Sequence, residues 1–238
     1  MLEYIKTLNN NYTYAFNIDQ NLVIVDPGEA GPVIEYITNS KYTFKAILLT
    51  HKHDDHIGGV KELKELYPSI LIIGPDEIAK TLKIDKIVDK DEVFNLFGEK
   101  IISIFTPGHT EGHSCYVVRD MLFSGDCLFS FGCGRVFTND YQAMYKSLAK
   151  LSILDDNLLL CAGHEYTLDN INFLLSELDN SSEEYLYLNN YKSQVENLLK
   201  DGKASLPVKL KNEKKYNLFL TSNTFEEFLK LRELKNKF

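Results

Sequence analysis

The sequence predicts an α/β fold of the α+β kind, in which packed β-sheets are covered by helices and a helical segment ends the chain. Short apolar runs of strand length fill the first two-thirds of the chain, and stretches with helical spacing lie between some of them. After residue 164 strand signals become rare. The length of 238 residues suffices for one large domain, or for a domain with a smaller one attached.

The strand predictions rest on β-branched or apolar runs that end at turn signals. The N-terminal segment alternates like a strand, and the runs are YTYAFNI, LVIVD, AILLT, ILIIG, KIISIFT, SCYVV, MLFSG and LLLCA. Turns are predicted at DPG (26–28), YPS (67–69) and TPG (106–108). Helical spacing predicts helices over 58–66, 75–82 and 140–151, the last capped by Asn139 or Asp140.

Beyond residue 164, helical spacing predicts three helices, over 168–178, 183–200 and 224–235. The Leu206-Pro207 pair marks an irregular connection between the last two. We therefore place a domain boundary near residue 166. The four cysteines, Cys115, Cys127, Cys133 and Cys161, contain no CxxC pair. We expect buried reduced thiols rather than disulfides or metal ligands.

The charge balance restricts the partners of this chain. A formal net charge of -8 disfavours a broad phosphate-binding surface, and hence nucleic acid. Between residues 203 and 238, however, nine Lys or Arg accompany four Asp or Glu, so this segment carries +5 and the remainder -13. Such a basic segment is either a solvated helix face or a binding site for a small anion. No apolar run predicts a membrane span, and the N-terminus lacks the features of a signal peptide, so we expect a cytoplasmic protein.

The segment THKHDDH, residues 50–56, follows the strand AILLT and concentrates metal-binding side chains. His51 and His53 are two residues apart, so they share one side of an extended strand end rather than a helix face. Asp55 and His56 follow before two glycines turn the chain into a helix. A lone histidine is commonly a surface or core residue, but packing three imidazoles and a carboxylate without a cation costs desolvation and repulsion. The cluster therefore predicts a metal site.

The remaining histidines and one aspartate also follow predicted strands. His109 and His113 lie in TPGHTEGH after KIISIFT, Asp126 ends FSGD, and His164 lies in AGHE after LLLCA. Loops at strand ends carry binding and catalytic residues disproportionately often. Taken singly, each of these residues is as consistent with a turn or a cap as with a ligand.

Together, THxHxDH, TPGHT, the GD after a strand and the late GHE resemble the metallo-β-lactamase superfamily. Within it, the chain resembles the glyoxalase II (hydroxyacylglutathione hydrolase) family nearly end to end, through THKHDDH, TPGHTEGHS, SGDCLFSFGCGR, AGHEYT, SLPVKLKNEKKYN and LRELKNKF. THxHxDH alone would identify only the superfamily. The resemblance implies an αββα metallo-β-lactamase-like sandwich that is the catalytic domain, residues 1–165, and a helical substrate-binding domain, residues 166–238.

The same resemblance implies a binuclear metal site. Its ligands would be His51, His53 and His109 for one metal, Asp55, His56 and His164 for the other, and Asp126 as the bridge. The ions would be divalent, Zn²⁺ by expectation, with iron and manganese as alternatives because histidine and carboxylate ligands suit all three. A water shared by two such ions loses a proton near neutral pH and becomes a hydroxide nucleophile, which Asp55 would aim. His113 would lie outside the ligand set and support it.

Substrate contacts are implied only where residues match the family. These are Arg135, Tyr166, Arg232 and Lys235. A guanidinium and an ammonium suit a glutathione carboxylate, which gives the basic C-terminal segment a purpose. The chain departs from the family pattern at Phe137, where some members have tyrosine, at Thr221, which ends NLFLT where the family has NPFLR, and at Asn236, which replaces an aspartate.

The function that the resemblance implies is hydrolysis of S-(2-hydroxyacyl)glutathione, typically S-lactoylglutathione, by a monomer acting in methylglyoxal detoxification. A persulfide dioxygenase with one iron would leave the second ligand triad and the helical C-terminal domain unexplained. A β-lactamase conflicts with Asp126, where those enzymes typically have cysteine or serine, and a nuclease conflicts with the charge. A non-enzymatic metal-binding module is expected to lose ligands, and none is lost here.

Overall fold

The computed structural model describes all 238 residues as two six-stranded sheets that pack face to face, with helices outside them. The first sheet contains, in order, β1 (Leu2–Thr7), β2 (Asn11–Ile18), β3 (Asn21–Val25), β4 (Thr43–Leu48), β5 (Leu71–Gly74) and β6 (Lys86–Ile87). The strands of the second sheet, in chain order, are β7 (Glu92–Leu96), β8 (Glu99–Phe105), β9 (Ser114–Val118), β10 (Met121–Gly125), β13 (Leu159–Ala162) and β14 (Val208–Lys209). A separate two-stranded hairpin is formed by β11 (Leu128–Phe129) and β12 (Gly132–Cys133).

The helices surround these sheets and fill the C-terminal part of the chain. They are α1 (Ala30–Asn39), α2 (Asp54–Ile57), α3 (Val60–Leu66), α4 (Tyr141–Ser152), α5 (Thr167–Glu177), α6 (Glu183–Lys200), α7 (Leu210–Tyr216), α8 (Leu218–Thr221) and α9 (Phe225–Lys235). None is long and apolar enough to cross a membrane.

Two apolar cores separate the layers, because alternate residues of a strand face opposite sides of its sheet. Val23 and Val25 of β3 belong to the larger core, which includes the facing sides of both sheets, α4 and the C-terminal helices. Leu22 and Ile24 of the same strand belong to the smaller core, under α1 and α3. This layering is the αββα sandwich that the resemblance implied.

Strand direction places one edge of the second sheet at the functional site. Strands β8 and β10 are both antiparallel to β9, and β10 is parallel to β13. The strands β8, β10 and β13 therefore run the same way, and the loops that follow them leave the sheet at one edge. In the first sheet β3 and β4 are also parallel, so the residues after them are neighbours.

Most element predictions are confirmed. All eight quoted runs contain strands, and the helices predicted over 58–66, 140–151, 168–178, 183–200 and 224–235 end within two residues of the observed ones. The cap prediction is also confirmed, since Asp140 accepts a hydrogen bond from the backbone N–H of Ala143. All four cysteines are free and buried, as predicted.

The helix predicted over 75–82 is wrong. Only a 3₁₀ turn forms there, at Asp76–Ile78. The side chain of Glu77 accepts hydrogen bonds from the backbone N–H groups of Lys52 and Gly112 and from the hydroxyl of Thr110. These tertiary contacts compete with helical propensity, which is a weak determinant by itself. The connection around Leu206 is also more regular than predicted, since it contains β14, α7 and α8.

Candidate metal centre

The predicted metal ligands converge at the edge where these strands end. One triad is formed by His51, His53 and His109, whose ring nitrogens lie within 4.8 Å of one another. The Nδ1 atom of His53 is 3.0 Å from Nε2 of His51 and 2.9 Å from Nε2 of His109. His51 follows β4 and His109 follows β8, so the two facing sheets each supply part of this triad.

A second triad lies beside the first and consists of Asp55, His56 and His164. The Nε2 atom of His164 is 3.3 Å from Nε2 of His56 and 3.3 Å from Oδ2 of Asp55. The four-residue helix α2 supplies Asp55 and His56, and the loop after β13 supplies His164.

Asp126, directly after β10, lies between the two triads. Its Oδ2 atom is 3.4 Å from Nε2 of His109 in the first triad and 3.4 Å from Nε2 of His164 in the second. Its Oδ1 atom is buried without a hydrogen-bond partner, although Nε2 of His56 is 3.2 Å away. A buried carboxylate oxygen with no donor is costly unless a cation binds it, so this position suits a bridging ligand.

Hydrogen bonds fix which nitrogen of each histidine faces the centre. The Thr50 hydroxyl donates to Oδ2 of Asp26 at 2.6 Å and accepts from Nδ1 of His51 at 3.0 Å. Nδ1 of His56 donates to the same carboxylate at 3.0 Å. Both rings therefore carry their proton on Nδ1 and present the lone pair of Nε2 to the centre.

The histidines in the loops after β8 and β13 also carry their proton on Nδ1. Nδ1 of His109 donates to the carbonyl oxygen of Arg135 at 2.8 Å, and Nδ1 of His164 donates to the amide oxygen of Asn10 at 3.1 Å. Because these oxygens can only accept, Nε2 of each ring is again a lone pair. Because Nδ1 of each of the four rings is bound by the protein, Nε2 is the nitrogen that each ring offers to a cation.

The charges of the site favour bound cations. Burial opposes ionisation of Asp126, yet the adjacent His56 and His164 hold its pKa well below the ordinary value. The hydrogen bond from His164 likewise lowers the pKa of Asp55. Burial lowers the pKa of His51, and that of His109 to about 4, so these two rings stay neutral. The two carboxylates and the neutral rings of His51 and His109 belong to a donor set that fits divalent metal ions.

His113 lies next to the centre without facing it. Its Nε2 atom accepts a hydrogen bond from the backbone N–H of Asp126 at 3.2 Å, and its Nδ1 atom lies 2.9 Å from the hydroxyl oxygen of Thr106. Both ring nitrogens are therefore engaged by the protein. This placement agrees with the supporting role predicted for His113.

A cavity of about 600 Å³ opens over both triads. All four residues expected to contact substrate line it, namely Arg135, Tyr166, Arg232 and Lys235. The ring of Tyr166 stacks on the metal-site ring of His164, with centroids 4.7 Å apart. Phe137, more than half exposed, places its ring edge-to-face with His53 and His109.

The basic pair on α9 differs from a solvated helix face. Arg232 is only 4 % exposed, and its guanidinium donates to the carbonyl oxygen of Cys133 at 2.9 Å. Its Nε–H is buried without a partner. Lys235 is half-buried and donates to the carbonyl oxygen of Asp169, and burial lowers its pKa to about 8.

Sequence reasoning missed the residues that hold the ligands. Asp26 contacts Thr50 and His56, and Asn11 donates to Oδ2 of Asp55 at 3.0 Å. The signal for Asp26 was its position after a strand in DPG, which was interpreted only as a turn. Gly28 in that turn is required by contact, since a Cβ atom there would lie 2.0 Å from the carbonyl oxygen of Asp55.

Comparison with known proteins decides the family. A sequence profile described as Metallo-beta-lactamase superfamily matches residues 7–164, and one described as Hydroxyacylglutathione hydrolase C-terminus matches residues 165–238. A hydroxyacylglutathione hydrolase of Salmonella paratyphi A is 43% identical over 226 residues, which cover 94% of this chain and 88% of that protein. The chain belongs to the hydroxyacylglutathione hydrolase family of the metallo-β-lactamase superfamily.

Solved structures agree with this membership at the level of the fold. ETHE1 from Myxococcus xanthus aligns with a TM-score of 0.73 at 20% identity, over 98% of this chain and 90% of that one. The BLEG-1 B3 metallo-beta-lactamase aligns with a TM-score of 0.62 at 26% identity, over 69% of this chain and 91% of that one. The BLEG-1 alignment leaves almost a third of the present chain unmatched, whereas the family relative covers nearly all of it.

Proposed function

We propose that this chain hydrolyses the thioester of S-(2-hydroxyacyl)glutathione, typically S-lactoylglutathione, to a 2-hydroxy acid and glutathione. One observation carries the proposal beyond family membership: members of both triads and the basic pair Arg232 and Lys235 line a single cavity. A hydrolytic centre and an anion-binding wall are the two parts that a glutathione thioester requires. The cavity volume of about 600 Å³ lies within the range of small-molecule sites.

The two triads and Asp126 would hold the metal ions, which would supply positive charge for polarising the thioester carbonyl and for activating water. Asp55 would accept a hydrogen bond from that water and orient it. The carboxylate can do so because Asn11 holds its Oδ2 atom at 3.0 Å. The leaving group is a thiolate, whose conjugate acid has a pKa near 8.5, so no strong general acid is needed.

The cavity-lining residues that are not predicted metal ligands would bind glutathione. The guanidinium of Arg232, which lines the cavity, and the ammonium of Lys235 suit a carboxylate of glutathione. Tyr166, whose ring stacks on that of His164, also lines this part of the cavity. The exposed side chain of Arg135 adds a second guanidinium to the cavity wall. The phenyl ring of Phe137 gives the acyl group an apolar neighbour beside the first triad.

Several finer assignments belong to the same proposal. The ions are Zn²⁺, which this histidine and carboxylate donor set suits, and iron or manganese would serve the same ligands. Residues 1–165 form the catalytic domain and residues 166–238 the substrate-binding domain, joined because β14 pairs with β13. The protein acts as a cytoplasmic monomer in methylglyoxal detoxification.

A turnover assay with S-lactoylglutathione, read as release of free thiol, tests the proposal. We expect hydrolysis that is lost on chelation and restored by Zn²⁺, with two metal equivalents per chain by elemental analysis. An oxygen-consumption assay with glutathione persulfide is the matched alternative. Oxygen uptake without thioester hydrolysis would reject the proposal in favour of a dioxygenase.

A further inference from the structure

A buried carboxylate lies behind the cavity, on a part of the chain to which no role has been assigned. Glu213 of α7 is fully buried, and no lysine, arginine or histidine pairs with it. Instead it accepts hydrogen bonds from neutral donors: the N–H of Phe131 at 2.6 Å, the hydroxyl of Ser130 at 3.0 Å and the amide of Asn217 at 3.1 Å. Burying an unpaired carboxylate is costly, so its contacts must hold something in place.

What it holds is the turn of the hairpin β11–β12. Asn217 donates to the carbonyl oxygens of Phe129 at 3.2 Å and Gly132 at 3.1 Å, and Asn170 donates to that of Ser130 at 3.0 Å. Together with the bond from the Phe131 N–H, one polar backbone group of every residue from 129 to 132 is bound by side chains of α5, α7 or their boundaries. We call Glu213, Asn217 and Asn170 the hairpin cradle.

The turn needs such support because its backbone is strained. Phe131 has a φ of 55°, in the left-handed region that bulky residues rarely adopt. Strain of this kind persists only where the surroundings impose it. The fit is close at Gly132 as well, since a Cβ atom there would lie 2.4 Å from Nδ2 of Asn170.

Both ends of the hairpin reach the cavity. At one end the ring of Phe129 lines the cavity and packs edge-to-face with Tyr166, the centroids lying 5.2 Å apart. At the other end the carbonyl oxygen of Cys133 accepts the hydrogen bond from Arg232. A displaced turn would therefore move an aromatic wall and a cationic group of the cavity together, and no metal ligand belongs to the hairpin.

We propose that the hairpin cradle is a positioning device, which holds Phe129 and Arg232 in the arrangement that binds substrate. Glu213 and Asn217 act through the hairpin and are positioning residues, not catalytic ones, whereas Asn170 also lines the cavity. The inference rests on the proposed function for the identity of what the cavity binds. It also gives a role to the segment SLPVKLKNEKKYN, which includes Glu213 and Asn217 and lies outside the metal centre.

Substitutions of Glu213 test the cradle in the metal-loaded full chain. Glu213→Ala removes the acceptor, whereas Glu213→Gln can still accept from Phe131 and Asn217 through its oxygen and donate to Ser130 through its nitrogen. Glu226→Ala, on the exposed face of α9, is the matched control. We expect Glu213→Ala to raise KM for S-lactoylglutathione about fivefold or more, because several hydrogen bonds to the hairpin are lost. Its kcat should stay within about twofold of wild type, and it should keep both metal equivalents. Glu213→Gln and Glu226→Ala should match wild type in KM, kcat and metal content.

Amide hydrogen exchange gives a readout that is independent of the substrate. Residues 128–135 should exchange faster in Glu213→Ala than in wild type, and at the wild-type rate in Glu213→Gln and Glu226→Ala. A wild-type protein that fails to hydrolyse glutathione thioesters would reject the proposed function. The exchange rates alone would then decide whether the hairpin cradle holds the hairpin in place.

Three results would overturn the cradle: a folded Glu213→Ala with wild-type KM and exchange, a loss of metal in that variant, or a Glu213→Gln variant as impaired as Glu213→Ala. If Glu213→Ala does not fold, Ser130→Ala replaces it, because that change removes a single donor to the carboxylate. A KM raised about twofold or more, with faster exchange in residues 128–135, would support the cradle. Wild-type values of both would overturn it.

Discussion

The metal centre and the C-terminal wall of the cavity are built by different means. Each predicted metal ligand lies within five residues after a strand or in the short helix α2. Each of the four rings with an assigned tautomer has its own hydrogen-bond partner at Nδ1. The C-terminal wall, formed by Phe129, Tyr166, Arg232 and Lys235, depends on helices that pack at a distance in sequence. Arg232, for example, bonds to a carbonyl oxygen 99 residues earlier in the chain.

Mutations in the metal centre and mutations in the C-terminal wall should therefore have different consequences. A change among the predicted ligands should alter metal binding, and through it the chemical step. A change in the wall alters how glutathione is held, before and during reaction alike, so it affects KM more than kcat. The four predictions below use this separation, from the largest expected effect to the smallest.

Asp126→Ala should have the largest effect, because one carboxylate oxygen of Asp126 lies 3.4 Å from a ring nitrogen of each triad. We expect both metal equivalents to bind more weakly and turnover to fall on the order of a thousandfold or more. Elemental analysis after dialysis and thiol release measure the two quantities. A variant that keeps one tightly bound metal and full activity would refute the dinuclear centre.

Glu213→Gln should change the pH dependence of stability. Burial raises the pKa of Glu213 from the usual 4.5 to about 7, so between these values the folded chain keeps a proton that the unfolded chain has lost. The free energy of unfolding of wild type therefore falls as pH rises through this window. Relative to wild type, Glu213→Gln should gain about 3 kcal/mol between pH 4.5 and pH 8.

Denaturant unfolding of both proteins at several pH values measures this difference. Both carry the same metal ligands, so the difference isolates the carboxyl of Glu213. Glu226→Gln serves as the control, since Glu226 is exposed. A stability difference that does not vary with pH would contradict the prediction.

Lys235→Ala tests the wall with the least disturbance of packing. Arg232→Ala would also remove a buried side chain, so its effect would combine a loss of binding with a loss of packing. We expect Lys235→Ala to raise KM for the glutathione thioester about fivefold to tenfold, with kcat and metal content little changed. The increase should diminish above pH 8, where Lys235 loses its charge.

Two controls accompany that measurement. Lys237→Ala removes an exposed charge two residues beyond the end of α9 and should leave KM unchanged. A neutral thioester without the glutathione carboxylates should show no difference between Lys235→Ala and wild type. If Lys235→Ala leaves KM for the glutathione thioester unchanged, Lys235 is not a substrate contact.

His113→Ala should have the smallest effect on the metal centre. Both of its ring nitrogens are engaged by Thr106 and Asp126, so the variant should keep two metal equivalents. It should lose about 1–3 kcal/mol of stability, because a buried donor is left without a partner. Elemental analysis and denaturant unfolding check the two expectations, and a lost metal equivalent would place His113 among the ligands.

Prediction from sequence succeeded where the signal was local. THKHDDH supplies four ligand candidates within six residues after a strand, and Asp126 and His164 each follow a strand whose end is legible in the sequence. It failed where partners are distant. Nothing near Glu77 indicates that its carboxylate bonds to the loops of Lys52 and Gly112, and these bonds accompany a 3₁₀ turn where a helix was predicted.

The interpretation of the basic C-terminal segment shows the same limit. Charge counting left a solvated helix face and an anion site open, and spacing placed Arg232 and Lys235 on one face of a helix. Burial could not be deduced, because it depends on how α9 packs against Phe219 and Cys133. Arg232 is buried and lines the cavity, which the sequence pattern alone does not indicate.

By itself the sequence determined the strand runs, the ends of most helices, the family and the residue types available as ligands, since these depend on periodicity and on short motifs. Tertiary structure decided which lone pairs face the centre, through Asp26, Asn10 and the carbonyl of Arg135. It also decided that Glu213 supports a strained turn 82 residues earlier. Hydrogen bonds between distant residues form only after the sheets and helices have packed, so no local pattern encodes them.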